Sequence, residues 1–242
     1  MKKERKGICA FCGSSTIVTD DHVPPRNIFP QPQPNDVELV TVPGCKKCNH
    51  GSTADDKQFK VYITLKSGAD GAAPLKLHQS TKRTVRSNRK IRKQIVENST
   101  PLYLPSGDSS TFEIQNIYKF DPRPIRRVAR KIIKGLYFKH FGECIDGKAE
   151  VSVYLSDDIK HHQIMIIEDL AGDTGRFGEH HTVGKNREFH YAFAETEVKY
   201  GTSWVLVFND LCAMVGLTIP KEDIQQVGEE EPPGLRPSVS HL

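Results

Sequence analysis

A chain of 242 residues, 37% hydrophobic and 26% charged, has the composition of a globular protein with one large domain or two small ones. No apolar run reaches eighteen residues, and the basic start MKKERKG lacks the apolar stretch of a secretory signal, so a cytoplasmic protein with no membrane-spanning segment is expected. The net charge of +4 is unevenly spread: residues 1–93 hold 18 Lys and Arg against 8 Asp and Glu, a local +10, and the remainder stands at −6. Charge of that sign leaves a solvated basic surface and a phosphate-bearing partner equally open.

In chain order, the first unit is residues 1–70. Ser15 to Val18 and Val37 to Val42 read as short strands, rich in β-branched and apolar residues. Between them, residues 24–36 contain five prolines in thirteen positions, which demands a loop. Ser52 and Thr53 offer N-caps, with Asp55 and Asp56 as capping-box partners, for a helix running through DDKQFKVYITLK. The Gly/Ala/Pro-rich stretch 67–74 marks a boundary, after which residues 75–227 form a second unit. From Lys76 to Lys93 there are eight Lys or Arg and no acid, either a basic arm or the exposed face of a helix or strand. The clearest helix is 124–140. Ile125, Val128, Ala129, Ile132, Ile133, Leu136 and Tyr137 recur at the helical period, Arg123, Arg126, Arg127, Arg130, Lys131 and Lys134 lie opposite, Pro124 suits the start and Gly142 the stop. Residues 150–155, 188–195 and 203–219 read as strands, the last run split at Asn209-Asp210. The tail 228–242, acidic and then Pro-rich, has the composition of a disordered segment. The fold class expected is α+β, with a mostly antiparallel sheet in the second unit.

Six cysteines in a chain without an export signal point away from disulfides, and four of them fall in two CxxC pairs. Cys9-Ala-Phe-Cys12 and Cys45-Lys-Lys-Cys48 each have the two-residue spacing that turns both sulfurs toward one tetrahedral ion, and Gly13 and Gly44 suit the tight turns of such knuckles. Zinc on Cys9, Cys12, Cys45 and Cys48 is the expected occupant. Its shell would be closed by four thiolates, so the ion would be structural. Cys144 and Cys212 have no partner at metal spacing and read as core, as does Trp204; the pairs His161-His162 and His180-His181 read as surface.

Between the knuckles stands Asp21-His22-Val23-Pro24-Pro25, and Asn49 and His50 follow the second one. A CxxC pair, an Asp-His dyad ending a strand and a second CxxC followed by Asn resembles the HNH family of ββα-metal nucleases over residues 7–66. More narrowly, DHVPP with VPxCxxCN resembles a subgroup among bacterial and phage HNH proteins. The resemblance implies an N-terminal zinc-stapled ββα-metal module and an endonuclease that hydrolyses phosphodiester bonds, with double-stranded DNA preferred because no interleaved aromatics suited to stacking on single strands are present. Carried over by position, His22 would be the general base, while Asp21 and Asn49 would hold a catalytic divalent ion, Mg²⁺ or Mn²⁺. Arg26, Lys46, Lys47 and Lys57 would contact phosphates, which positions nucleic acid without reading its sequence.

Two departures stand beside the match. The family's middle residue has no counterpart, since Val40 or Thr41 occupies that distance and Asn35 lies too early. Gly51-Ser52 interrupts the helix the family runs through this point, leaving His50 as an alternative ligand to Asn49. Asp55 and Asp56 could also serve a metal, although acids in a first turn complement the helix dipole. The competing readings are a zinc-knuckle nucleic-acid-binding protein with a degenerate nuclease site, and a phage-defence interaction protein that holds a protein partner through residues 75–227.

Overall fold

The structure, a computed structural model, describes residues 5–31, 38–67, 74–105, 112–156, 180–185 and 188–222. The tail 228–242, the pair His161-His162 and Asn35 lie outside the described residues.

The chain is α+β, with antiparallel sheets. At the N-terminal end, β1 (Arg5–Ile8), β2 (Ser15–His22) and β3 (Thr41–Cys45) form a sheet in that order. The first expected strand runs four residues further than its β-branched stretch, so Asp21 and His22 lie inside the ladder, opposite Val42 and Thr41. The second expected strand is displaced toward the cysteines. Its pairing with β2 begins at Thr41, preceded by a single bond from Val23 N–H to the Val40 carbonyl at 2.9 Å. Strand β1 pairs with β2 from Arg5↔Val18 to Ile8↔Ser15.

Helix α1 (Lys46–Gly51) follows β3 directly, and α2 (Thr53–Lys66) resumes after a break at Ser52. Ser52 does not cap α2 through a backbone amide; its hydroxyl donates to Asp56 Oδ2 at 3.1 Å instead. The basic run forms two helices, α3 (Leu75–Ser87) and α4 (Arg89–Glu97), with Asn88 capping α4 by accepting from Ile91 N–H. A hairpin of β4 (Ser99–Pro105) and β5 (Phe112–Tyr118) comes next.

Helix α5 (Pro122–Phe141) begins where Asp121 accepts a bond from Arg123 N–H at 3.0 Å and ends at Gly142, whose φ of 73° is the left-handed stop that favours glycine. All seven apolar positions expected to face the core are buried. The second large sheet has the order β6 (Ala149–Leu155), β10 (Cys212–Pro220), β9 (Thr202–Phe208), β8 (Phe189–Glu195) and β7 (His181–Val183), every neighbouring pair antiparallel. Its β9 and β10 alternate buried with half-buried residues, the period of two that a sheet covered on one face requires, and Asn209 and Asp210 turn between them at positive φ.

Helix α5 joins the two ends of the molecule. Toward the large sheet it packs so closely that a Cβ on Gly216 of β10 would meet Ile133 Cδ1 at 2.1 Å. Toward the small sheet, a Cβ on Gly135 would meet Val23 Cγ2 at 2.6 Å and Phe11 Cε1 at 3.2 Å. One cluster of buried side chains runs from Cys9 and Phe11 through Phe59 and Leu136 to Trp204 and Met214.

Candidate metal centre and the neighbouring acidic pocket

The first cysteine pair makes the turn from β1 to β2, and the second straddles the junction of β3 with α1. The four sulfurs lie within 4.8 Å of one another, with those of Cys12 and Cys45 3.9 Å apart. A tetrahedron with zinc–sulfur bonds of about 2.3 Å has edges of about 3.8 Å. Backbone amides support the cluster: Cys45 N–H donates to Cys9 Sγ at 3.3 Å, and Cys48 N–H to Cys45 Sγ at 3.5 Å. Burial pushes the Cys9 and Cys48 thiols up, at Cys48 with help from Cys45 and Cys9. At Cys12 burial acts the same way but is outweighed by hydrogen bonds with Ser14, and the thiol falls to about 7. Four crowded thiols cannot all ionise without a cation among them, and the donor set fits a metal such as zinc. Among the described residues, no second group of three His, Cys, Asp or Glu ligand atoms comes close enough to share an ion.

Strand β2 carries the expected site residues away from this cluster. Alternation along a strand puts Thr19 and Asp21 on one face, and Val23, two residues further, packs against Gly135 of α5. Gly44, paired with Thr19, keeps that face open, since a Cβ there would meet Asp21 Cβ at 3.1 Å and Phe11 Cε2 at 3.2 Å. Asn49 of α1 reaches the same face, its amide nitrogen 3.2 Å from Thr19 Oγ1. Asp21 and Asn49, far apart in sequence, are thereby brought over one patch of β2. His22 takes the alternate register position, half-buried at the strand's last residue. It does not share the sheet face of Asp21. His50 is exposed, and so are Arg26, Lys46, Lys47 and Lys57.

Asp21 meets a group that the local sequence does not announce. Lys131 of α5 places its Nζ 2.8 Å from Asp21 Oδ2, with the two side chains only 15% and 13% exposed. The contact is an ion pair without the alignment of a hydrogen bond, and Asp21 Oδ2 and Asp56 Oδ1 are both buried without a hydrogen-bond partner among the described residues. The same ammonium donates to Ser52 Oγ at 2.9 Å and lies 4.9 Å from the Phe11 ring centroid. Ser52 passes the connection to Asp56, whose carboxyl is pushed up to about 6 by burial, against the opposing charge of Lys131. One turn earlier on α5, Arg127 grips Asp55 with two bonds of 2.7 and 2.9 Å. Lys134 pairs with Asp146, and Arg130 donates to the Val151 carbonyl at 2.9 Å. Arg123, Arg127, Lys131 and Lys134, four of the six cations expected on this face of α5, are therefore each paired with an aspartate within the fold. A groove between α1 and α5 opens beside it, lined by Phe11, Lys47, Ser52, Asp55, Arg127 and Lys131.

Lys131 and Ser52 are site residues that sequence reasoning missed. The one signal for Lys131 was its place on a helical face shared with Arg127 and Gly135 at four-residue spacing. His181, expected at the surface, stacks on Tyr191 with ring centroids 4.8 Å apart, and His140 shares a 2.9 Å hydrogen bond with the Tyr191 hydroxyl. Burial first, and then His181 and Lys139, hold the His140 pKa down.

No protein-family model matches this chain, and no curated protein or solved structure matches it either.

Proposed function

We propose that this chain is an HNH-type endonuclease that hydrolyses phosphodiester bonds, with duplex DNA as the substrate class. The observation that carries the reading is the placement of Asp21 and Asn49 over one patch of β2, on elements joined through the four-cysteine cluster. A carboxylate and an amide oxygen suit a hard cation. A divalent ion such as Mg²⁺ or Mn²⁺, held there, would supply charge stabilisation to the scissile phosphate. The chain's own residues do the rest. His22 stands on the other register face from Asp21 but at the strand's last residue, so a phosphate lying across the strand end would come within its reach, and there it would take the proton from an attacking water, as an imidazole can near neutral pH. Arg26, Lys46, Lys47 and Lys57, all exposed, draw in phosphates. The eight Lys and Arg from Lys76 to Lys93 are likewise all exposed on α3 and α4 and extend the basic surface.

A second reading has one specific observation in its favour. Asp21 already holds an ammonium and the Asn49 amide already holds Thr19, which suits a zinc-knuckle nucleic-acid-binding protein whose nuclease centre is degenerate. Supercoiled plasmid incubated with protein and Mg²⁺ or Mn²⁺ separates the two. Nicked or linear product that falls at least a hundredfold with His22→Ala is the expected result. Binding without cleavage by the wild-type chain would transfer the conclusion to the second reading.

A further inference from the structure

Lys131 is built into the pocket on three sides. Its ammonium lies over the ring of Phe11 of the first knuckle, 4.9 Å from the centroid, sits 2.8 Å from Asp21 Oδ2, and donates to Ser52 Oγ at 2.9 Å. Gly135, one turn along α5, allows this approach, because any side chain there would meet Val23 and Phe11. The result is a monovalent cation seated on a carboxylate oxygen that the nuclease reading assigns to a divalent ion. Two cations cannot share a buried oxygen at such distances without strong mutual repulsion, which is screened little away from solvent.

We propose that Lys131 is a resident cation that a divalent metal must displace from Asp21, a latch by which α5 holds the centre in its metal-free form. This inference rests on the reading of Asp21 as a metal ligand. On release, the ammonium has a destination in the groove between α1 and α5, which Arg127 and Lys47 also line and where a phosphodiester oxygen would neutralise it. Occupation of the groove by a phosphate and binding of the metal at Asp21 then favour one another, since each removes an obstacle to the other. The device needs no oxidant and no covalent step. It exchanges one ion pair, Lys131 with Asp21, for two others.

The test is the affinity of the full chain, with its cysteine-bound metal in place, for Mn²⁺ in the absence of nucleic acid, read from the electron paramagnetic resonance of free Mn²⁺. Lys131→Met removes the charge and fills much of the same space with an unbranched apolar side chain, Lys131→Arg keeps the charge, and Ser52→Ala loosens the latch without emptying the pocket. Mn²⁺ should bind Lys131→Met at least tenfold more tightly than wild type and Ser52→Ala several-fold more tightly. Lys131→Arg should stay near wild type, and adding Asp21→Asn to Lys131→Met should erase the gain. Should Lys131→Met not fold in the absence of Mn²⁺, Ser52→Ala decides alone. Equal Mn²⁺ affinity in wild type, Lys131→Met and Ser52→Ala would overturn the latch and leave the metal reading standing. No uptake by any variant at millimolar Mn²⁺ would overturn both.

Discussion

Helices α3 and α4 and helix α5 are comparably rich in cations, and the fold uses them in opposite ways. On α3 and α4 every Lys and Arg is exposed, and among the described residues the one acid that pairs with them is Glu97, 3.6 Å from Lys93. On α5, Arg127, Lys131 and Lys134 each meet an aspartate brought from elsewhere in the chain. The difference lies in what each helix packs against. Helix α3 buries Leu77 and Thr81, the latter hydrogen-bonded to Thr64 of α2, and α4 buries Ile91, so each lays a narrow stripe on its neighbours and leaves the rest to water. Helix α5 is wedged between two sheets, and Lys131, in its middle, is held where little solvent reaches it, 15% exposed. A run of Lys and Arg therefore reports available charge only where little covers it.

The strongest way to break this contrast is to undo the small sheet, which carries Asp21, the partner of Lys131. Cys45→Ser removes one thiolate of the cluster. Loss of bound metal from the chain and a fall in Tm on the order of 10 °C or more are the expected results, because metal binding to such a cluster is also folding free energy. The α5 pairs with Asp21 and Asp55 should loosen with it, seen as proteolytic cleavage near α1, while the nucleic-acid affinity proposed for α3 and α4 should persist. A Cys45→Ser protein that keeps its metal content and its Tm would mean that the cysteines are packed thiols and that the sheet needs no ion.

A second prediction sharpens the other side. Replacing Arg86, Arg89, Lys90 and Arg92 together by Ala should leave Tm within a few degrees, since exposed substitutions each cost within about 0.5 kcal/mol and Ala favours helix. Affinity for a DNA duplex should fall roughly ten- to a hundredfold at moderate salt, and the slope of log K against log salt should flatten by about 3 to 4. Fluorescence anisotropy at three salt concentrations reads both quantities. An unchanged salt slope would take α3 and α4 out of the binding surface.

How much of this was legible in the sequence follows the same division between local and distant contacts. The two CxxC pairs declare themselves because the geometry of an ion fixes their spacing, and the buried stripe of α5 declares itself because seven apolar residues keep one period. The turn at Asn209-Asp210 was equally plain, as these residue types tolerate positive φ. Strand β1 was not legible: Arg-Lys-Gly-Ile has no strand pattern of its own and is ordered by the neighbouring β2. The hairpin of β4 and β5 was missed for a similar reason, with Pro101 inside one strand and Leu102, Tyr103, Ile114 and Ile117 all exposed. Helices α3 and α4 were left open between an arm, a helix and a strand because Lys and Arg dominate the run, and each buries only one or two residues. At the site, Asp21 and Asn49 could be paired in advance only through the cysteines. Lys131 could not be paired at all, because nothing near residue 21 or residue 131 encodes their meeting.

The smallest expected effect comes from the outer pair of α5. Arg127 is 54% exposed and Asp55 is 18% exposed, so their two-pronged contact stands partly in water and is screened accordingly. Arg127→Ala should cost no more than about 1 kcal/mol, and a double-mutant cycle with Asp55→Asn should give a coupling of roughly 0.5 to 1 kcal/mol in dilute buffer that shrinks in 1 M salt. Chemical denaturation of the four proteins at two salt concentrations measures it. If the coupling instead exceeded about 2 kcal/mol and ignored salt, Arg127 would belong with Lys131 among the enclosed cations, and the groove beside α1 would be a closed seam with no room for a phosphate.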